Sequence, residues 1–253
     1  MDRDVVLPAG YWLVVHETID STNAEAARLA QQGAADGTVI WARHQTAGRG
    51  RHGRRWQSPE GNLYCSLLLR PEAPPAKAAQ LSLAAALALG DALDDLLPAA
   101  SRPAFKWPND VLIGGRKVAG ILLESSGSHD GCLDWLVVGC GLNVRHFPEG
   151  TDHPATSLHA AGVANAVVGD LLAAFVHAFA GWRARWQRSG PGPLREGWLA
   201  RAAHIGGEIA VRLPGDELRG RFAGLDAAGA LLVDLPDGSR RTVSAGDVFF
   251  QRG

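Results

Sequence analysis

Cysteine is scarce in this 253-residue chain, and the few present do not pair. Cys65, Cys132 and Cys140 make an odd number, and none belongs to a Cys-x-x-Cys unit. That argues against a disulfide framework and against a zinc site. Buried thiols in a reducing compartment are expected. An excess of positive charge is also missing. Lys+Arg total 25 and Asp+Glu 26, for a formal net charge of −1. Bulk, sequence-independent nucleic-acid binding needs a net basic surface, so it is disfavoured, although a local basic loop is not. No run of residues can span a bilayer. The most apolar stretch, residues 76–97, carries Lys77, Gln80, Asp91, Asp94 and Asp95. The N-terminal Met-Asp-Arg-Asp has no basic-then-apolar leader. His129, His146, His153, His159, His177 and His204 show no ligand spacing, so no metal site is expected and these side chains are read as surface or satisfied residues. A soluble cytoplasmic protein remains.

An apolar fraction of 46% and a charged fraction of 20% suit an ordinary globular protein. The length allows one sizeable domain and a small one. Strands are predicted over 11–17, 38–42, 63–69 and 133–140, with an extended segment at 104–107 before Pro108. Residues 111–113 and 117–124 read as a hairpin turned by Gly114-Gly115. Helices are predicted over 24–32, with Thr22-x-x-Glu25 as a capping box, and over 76–97, 169–187 and 194–203. Strands that interleave with helices yet form hairpins favour an α+β fold, a mixed sheet with helices on one face. After Gly206 come short strands at 208–213, 217–225, 230–234 and 240–244, separated by Pro-Gly, Ala-Gly and Pro-Asp-Gly. These read as a small β-barrel. The expected domains are 1–204 and 205–253.

The segment Gly48-Arg-Gly-Arg-His-Gly-Arg-Arg-Trp56 is the most informative. Its glycines allow close backbone approach to a ligand, and its amides can form an anion-binding nest. Its arginines supply planar forks for phosphate or carboxylate, and Trp56 supplies an apolar face. The alternative is a flexible basic loop or a nucleic-acid contact. The loop lacks the Gly-Lys-Ser/Thr ending of a Walker A sequence. It matches G-x-G-x-x-G by letter only, because no apolar helix follows.

Lys106-Trp-Pro-Asn-Asp110 sets two charges and an amide around a rigid bend, and Lys117 follows the Gly-Gly turn. Taken singly, Lys117 reads as an edge lysine, Asp110 as a turn residue, and Ser21-Thr22-Asn23 as helix-capping residues.

Taken in order, these segments resemble the biotin–protein ligase family. The resemblance rests on Asp20-Ser-Thr-Asn23, Gln45-Thr-Ala-Gly-Arg-Gly-Arg-His-Gly-Arg-Arg-Trp56, Lys106-Trp-Pro-Asn-Asp110, Lys117-Val-Ala-Gly-Ile-Leu-Leu-Glu124, Gly139-Cys-Gly-Leu-Asn143 and Pro154-Ala-Thr-Ser-Leu158. It covers essentially the whole chain and implies the following. A catalytic domain carries a small SH3-like C-terminal barrel. Biotin is activated by ATP with Mg²⁺ to biotinyl-5'-AMP and passed to a lysine of the biotin carboxyl carrier protein of acetyl-CoA carboxylase. Ser21, Thr22, Asn23, Gln45, Gly48, Arg49, Gly50, Arg51, Lys117 and Gly120 would bind biotin. Arg51, Trp56, Asn109, Lys117 and Asn143 would face the nucleotide, and residues 145–158 would order over the adenine. Lys117, Asp110 and Arg51 would carry catalysis, Asp110 near the incoming lysine. The first strand begins by Tyr11, which leaves no room for the N-terminal winged helix of some members, so no DNA partner is expected. A homodimer is left open. The rival enzyme is a lipoate/octanoate–protein ligase or transferase of the same fold.

Overall fold

The computed structural model describes residues 5–151 and 153–250; residues 1–4, named in the leader reading, lie outside that range, as do residue 152 and residues 251–253. Among the described residues, the first domain is built on a seven-stranded sheet. Its strands are β1 (Trp12–Ile19), β2 (Thr38–Gln45), β3 (Leu63–Leu69), β4 (Ala104–Lys106), β5 (Asp110–Ile113), β6 (Arg116–Ser125) and, after a two-residue pair β7 (Ser128–His129) and β8 (Cys132–Leu133), β9 (Leu136–Leu142). The order is β1-β2-β3-β9-β6-β5-β4. β1 and β2 run parallel and the other neighbours antiparallel, so the sheet is mixed.

Period-2 alternation gives the two faces of this sheet different chemistry. On β9, Leu136, Val138, Cys140 and Leu142 enter the main core, and β3 sends Leu63, Cys65, Leu67 and Leu69 to the same side. Helices α3 (Leu81–Asp94) and α4 (Val168–Ser189) cover that face, with α5 (Gly192–Leu199) packed on both. The opposite face of β9 carries Val137, Gly139 and Gly141. They pair with Leu68, Ser66 and Tyr64 of β3 and with Glu124, Leu122 and Gly120 of β6. Of the described helices, only the short α1 (Thr22–Gln31) lies there, packing Ala26 and Ala30 on Ile40, Leu68 and Val137. The long helices thus share one face as expected, while α1 takes the other. Beyond its N-terminus, small residues leave the sheet open.

Local chemistry moves some boundaries. Ser21, not Thr22, is the N-cap of α1, accepting from the Ala24 amide at 3.5 Å. Glu25 therefore does not close a capping box and instead pairs with Arg28 at 2.7 Å. The helix expected over 76–97 divides into α2 (Pro75–Ala78) and α3. At the join, Gln80 donates to the Ala227 carbonyl at 3.1 Å and accepts from Trp186 Nε1 at 2.9 Å. Gly114 and Gly115 have φ of 56° and 74°, the left-handed pair that a two-residue hairpin turn requires. Cys65 and Cys140 are buried as expected, and Cys132 is half-buried.

The last strands, β10 (Glu208–Leu213), β11 (Asp216–Leu225), β12 (Leu231–Asp234), β13 (Arg240–Val243) and β14 (Asp247–Phe250), form a five-stranded antiparallel sheet ordered β13-β12-β11-β10-β14. β14 was not read from the sequence. It pairs with β10, Asp247 lying opposite Arg212. This sheet docks through Trp198, whose ring meets Phe105 at 6.0 Å and Phe222 at 6.4 Å. Trp107 Nε1 adds a bond to the Gly229 carbonyl at 3.1 Å.

Candidate active site

The open part of the α1 face is a cleft of about 330 Å³. Three groups of residues build it, each placed by a different element.

The first is a buried polar cluster at the start of α1. The Thr22 amide and hydroxyl donate to Gln45 Oε1 at 2.8 and 3.1 Å, and Gln45 Nε2 donates to Ser58 Oγ at 2.9 Å. Ser66 Oγ donates toward Asn23 Oδ1 at 2.6 Å and Thr22 Oγ1 at 2.8 Å. Asn23 Nδ2 donates to Glu124 Oε2 at 2.7 Å. Gly139 is required below this cluster, because a Cβ there would sit 2.0 Å from Asn23 Oδ1. Buried polar groups tied in this way hold a fixed donor and acceptor pattern. With those bonds made, Ser21 Oγ–H and the second Nε2–H of Gln45 are donors left for the cleft.

The second group is the glycine-arginine loop, which is ordered. Arg49 and Arg55 bridge as in a hairpin, Gly50 N donates to Arg54 O at 2.7 Å, and Trp56 N donates to Gly48 O at 2.9 Å. The tip is a 3₁₀ turn, Arg51–Gly53, with His52 at φ 55°. The loop lays the Trp56 ring on the glycines of β6 and β9. Arg49 pairs with Glu124 at 3.1 Å. Arg51 and Arg54 reach Asp247 of β14, at 3.3 and 2.8 Å. Desolvation lowers the affinity of Arg51 for its proton, and Asp247 and Asp110 oppose that.

The third is a lysine–aspartate–lysine triad. The Trp107–Pro108 bend, a cis peptide, returns the chain so that Lys106 and Asp110 lie opposite each other on β4 and β5. Lys106 Nζ is 3.1 Å from Asp110 Oδ2. Lys117 Nζ is 2.5 Å from Oδ1, as an ion pair rather than an aligned hydrogen bond. Burial disfavours the Asp110 carboxylate, but the ammonium groups of Lys117 and Lys106 outweigh it, so its pKa falls below the usual carboxylate range. Burial also lowers the Lys106 pKa, against the pull of Asp110. A carboxylate held by two ammonium groups is a weak proton acceptor.

A segment after β9 closes the side of the cleft. Lys117 N donates to Pro154 O at 2.7 Å, and Thr156 N donates to Lys117 O at 2.9 Å, which lays residues 154–156 along β6. Asn143 Nδ2 holds Thr156 O at 3.0 Å. The start of the segment is tied by Asn62 Oδ1, which accepts from the amides of Val144, Arg145 and His146 at 3.0, 2.9 and 3.0 Å.

The residues singled out in the sequence meet here. Ser21, Thr22, Asn23, Gln45, Arg49, Gly50, Arg51, Trp56, Asn109, Asp110, Lys117, Gly120 and Asn143 line the cleft. Gly48 does not; it packs under the loop, where a Cβ would lie 2.5 Å from Ser58 Oγ and from Trp56 O. His153, read as a surface or satisfied residue, instead lines the cleft and stacks on Phe249 at 4.6 Å. Desolvation, with help from Lys106, pulls its pKa down to about 4. Ser66, Asn62 and Asp247 were not singled out, and Glu124 entered only as the end of the segment that begins at Lys117, with no role of its own. Ser66 and Asn62 had a faint signal, as polar residues inside or beside an apolar strand. Asp247 had none.

The model of the biotin/lipoate A/B protein ligase family matches residues 15–143, and that of the biotin protein ligase C-terminal domain matches residues 204–251. A biotin–[acetyl-CoA-carboxylase] ligase of Paracoccus denitrificans is 45% identical over 91% of this chain and 97% of its own. One from Mycobacterium tuberculosis is 38% identical over 99% of this chain and 94% of its own. A biotin protein ligase from Aquifex aeolicus, solved with biotin and ATP, superposes with a TM-score of 0.80 at 29% identity, covering 95% of this chain and 99% of that one.

Proposed function

Since the chain belongs to the biotin/lipoate A/B protein ligase family, we propose that it is a biotin–[biotin carboxyl carrier protein] ligase, which activates biotin with ATP and transfers it to a carrier lysine. The observation that carries this reading is one cleft with a neutral hydrogen-bonding end and a cationic end, joined across the Trp56 ring. The Thr22–Gln45–Asn23–Ser66 cluster suits a ureido ring, whose donors and acceptors must all be met in a buried site. The Arg51 and Lys117 end suits a carboxylate meeting a triphosphate.

In the first step, a biotin carboxylate oxygen bonds to the α-phosphorus and pyrophosphate leaves. Two unit charges about 4 Å apart repel by roughly 4 kcal/mol at an effective dielectric near 20. Arg51 and Lys117 offset that and stabilise charge on the five-coordinate phosphorus. Among the described residues no group of three His, Cys, Asp or Glu side chains could hold a metal. Mg²⁺ would arrive bound to the nucleotide phosphates, where it would add charge neutralisation to that of Arg51 and Lys117.

In the second step, the neutral acceptor amine bonds to the acyl carbon, the acyl C–O bond to phosphate breaks, AMP leaves, and the amine's proton passes to solvent water. At pH 7 under ~0.1% of a lysine with pKa near 10.4 is neutral. Asp110 is ionised and buried, so its role is to draw the ammonium into the cleft and orient it.

The acceptor is a carrier domain of acetyl-CoA carboxylase, met in the cytoplasm. No described helix is long and apolar enough to cross a membrane, and the net charge of −1 supports a partner other than DNA.

The test is pyrophosphate release from ATP and Mg²⁺ with biotin, lipoate or octanoate supplied separately. Release with biotin alone, followed by labelling of a carrier lysine, is expected. Release with lipoate or octanoate would move the activity to the sister ligases, and release with none of the acids would overturn the reading.

A further inference from the structure

Arg51 belongs to the glycine-arginine loop, yet what fixes it lies about two hundred residues away. Its Nη1 is ringed by three acceptors: Asn109 Oδ1 at 3.5 Å, the Gly246 carbonyl at 3.2 Å and Asp247 Oδ1 at 3.3 Å. No described residue accepts a hydrogen bond from its Nε or Nη2. The guanidinium is thus anchored at one corner, and its two-nitrogen edge is left for the cleft. That edge is the fork that meets a phosphate or carboxylate with two parallel bonds. The second oxygen of Asp247 takes Arg54 Nη2 at 2.8 Å, so one carboxylate ties the loop at two points. Asp247 is itself four-fifths buried, with 21% of its side chain exposed, and it lines the cleft. The next residue reinforces the contact, as Lys106 Nζ donates to the Val248 carbonyl at 3.3 Å.

We propose that Asp247, on the C-terminal sheet, is a positioning residue for adenylate formation: it orients the Arg51 fork toward the reacting phosphate. This rests on the ligase reading above. A pre-oriented fork needs no reorganisation as charge builds on phosphorus. Transfer to lysine, which breaks the acyl–phosphate bond already made, does not need Asp247 in the same way. The C-terminal sheet is then part of the first half-reaction and not only a cover.

The experiment uses the full chain and separates the two steps. Biotin-dependent pyrophosphate release by the unaltered protein tests the ligase reading on its own. Given that release, Asp247→Asn is expected to lower kcat for adenylation ten- to hundredfold with the biotin KM little changed. Single-turnover transfer from preformed biotinyl-adenylate to a carrier should stay within about threefold of wild type. Asp247→Glu should recover part of the loss. In Arg51→Lys, adding Asp247→Asn should cost little more, since the second residue acts through the first. Hydrogen exchange at the Gly50 and Trp56 amides reads the loop without any turnover, and it should quicken in Asp247→Asn. Wild-type adenylation by Asp247→Asn, an equal loss in both steps, or full additivity with Arg51→Lys would each overturn the proposal.

Discussion

Trp56 lies so close to the backbone of Gly141 that a Cβ on that residue would sit 2.6 Å from the indole. An indole is rigid and the floor is a central strand, so neither can yield cheaply. Gly141→Ala is expected to lift Trp56 and with it the loop that carries Arg51. Overpacking of this kind costs about 1–3 kcal/mol. Adenylate formation should fall at least tenfold, while Gly127→Ala, where a Cβ meets nothing within 4 Å, should be silent. Steady-state pyrophosphate release with both variants checks this, and equal rates would show that the stacked indole does not matter.

Asp110 joins two ammonium groups that would otherwise repel each other in a buried place. Asp110→Asn leaves Lys106 and Lys117 together without a counter-charge, at a cost of about 3 kcal/mol. Its carboxyl pKa is depressed in the folded protein, so the stability it contributes is present above the unfolded value near ~3.9 and is lost as pH falls through the lower folded value. The wild type should therefore lose stability in acid faster than Asp110→Asn. Transfer to the carrier should fall while adenylate still forms. Denaturant melts across pH, paired with single-turnover transfer, test both halves; an unchanged transfer rate would remove Asp110 from the second step.

Ser66 is fully buried and supplies one hydroxyl to two acceptors, Asn23 Oδ1 and Thr22 Oγ1. Ser66→Ala leaves at least one of them without a donor. An unpaired buried acceptor costs about 1–3 kcal/mol. Part of that should appear as a roughly tenfold rise in the biotin KM, with the ATP KM unmoved. Isothermal titration with biotin settles it, and a purely structural effect would weaken both ligands together.

The site residues in continuous segments were legible through the resemblance of those segments, taken in order, to a known family; singly, Lys117, Asp110 and Ser21-Thr22-Asn23 read as an edge lysine, a turn residue and helix caps. Gly114-Gly115 reads as a turn and both residues take positive φ. Gly139 and Gly141 alternate with Val138 and Cys140 on β9, but the strand read over 133–140 stopped short of Gly141, so the face the two glycines open together was only half legible. Ser66 and Asp247 were not legible for one reason. Each acts on a residue that strand pairing or domain docking brings near, and no local pattern records that pairing. His153 misled for a related cause: its value lies in Phe249, nearly a hundred positions on. The capping box failed by one residue because the Thr22 hydroxyl is already engaged by Gln45, leaving the cap to Ser21.

His153 offers a pH test that its stacking on Phe249 makes specific. Its folded pKa of about 4 lies below the ordinary imidazole value, because burial and Lys106 disfavour the cation. The unfolded chain therefore binds a proton that the folded one refuses. Stability from this residue is complete above the unfolded value near 6.5 and is lost as pH falls from there toward about 4. His153→Phe keeps an aromatic ring against Phe249 and removes the titration. The difference in stability between variant and wild type should grow in favour of the variant as pH drops through that window, then level off. Thermal melts at half-unit steps measure it. A difference that stays flat from pH 7 to pH 4 would mean that His153 is solvated like any surface histidine and that the loop does not close against the C-terminal sheet.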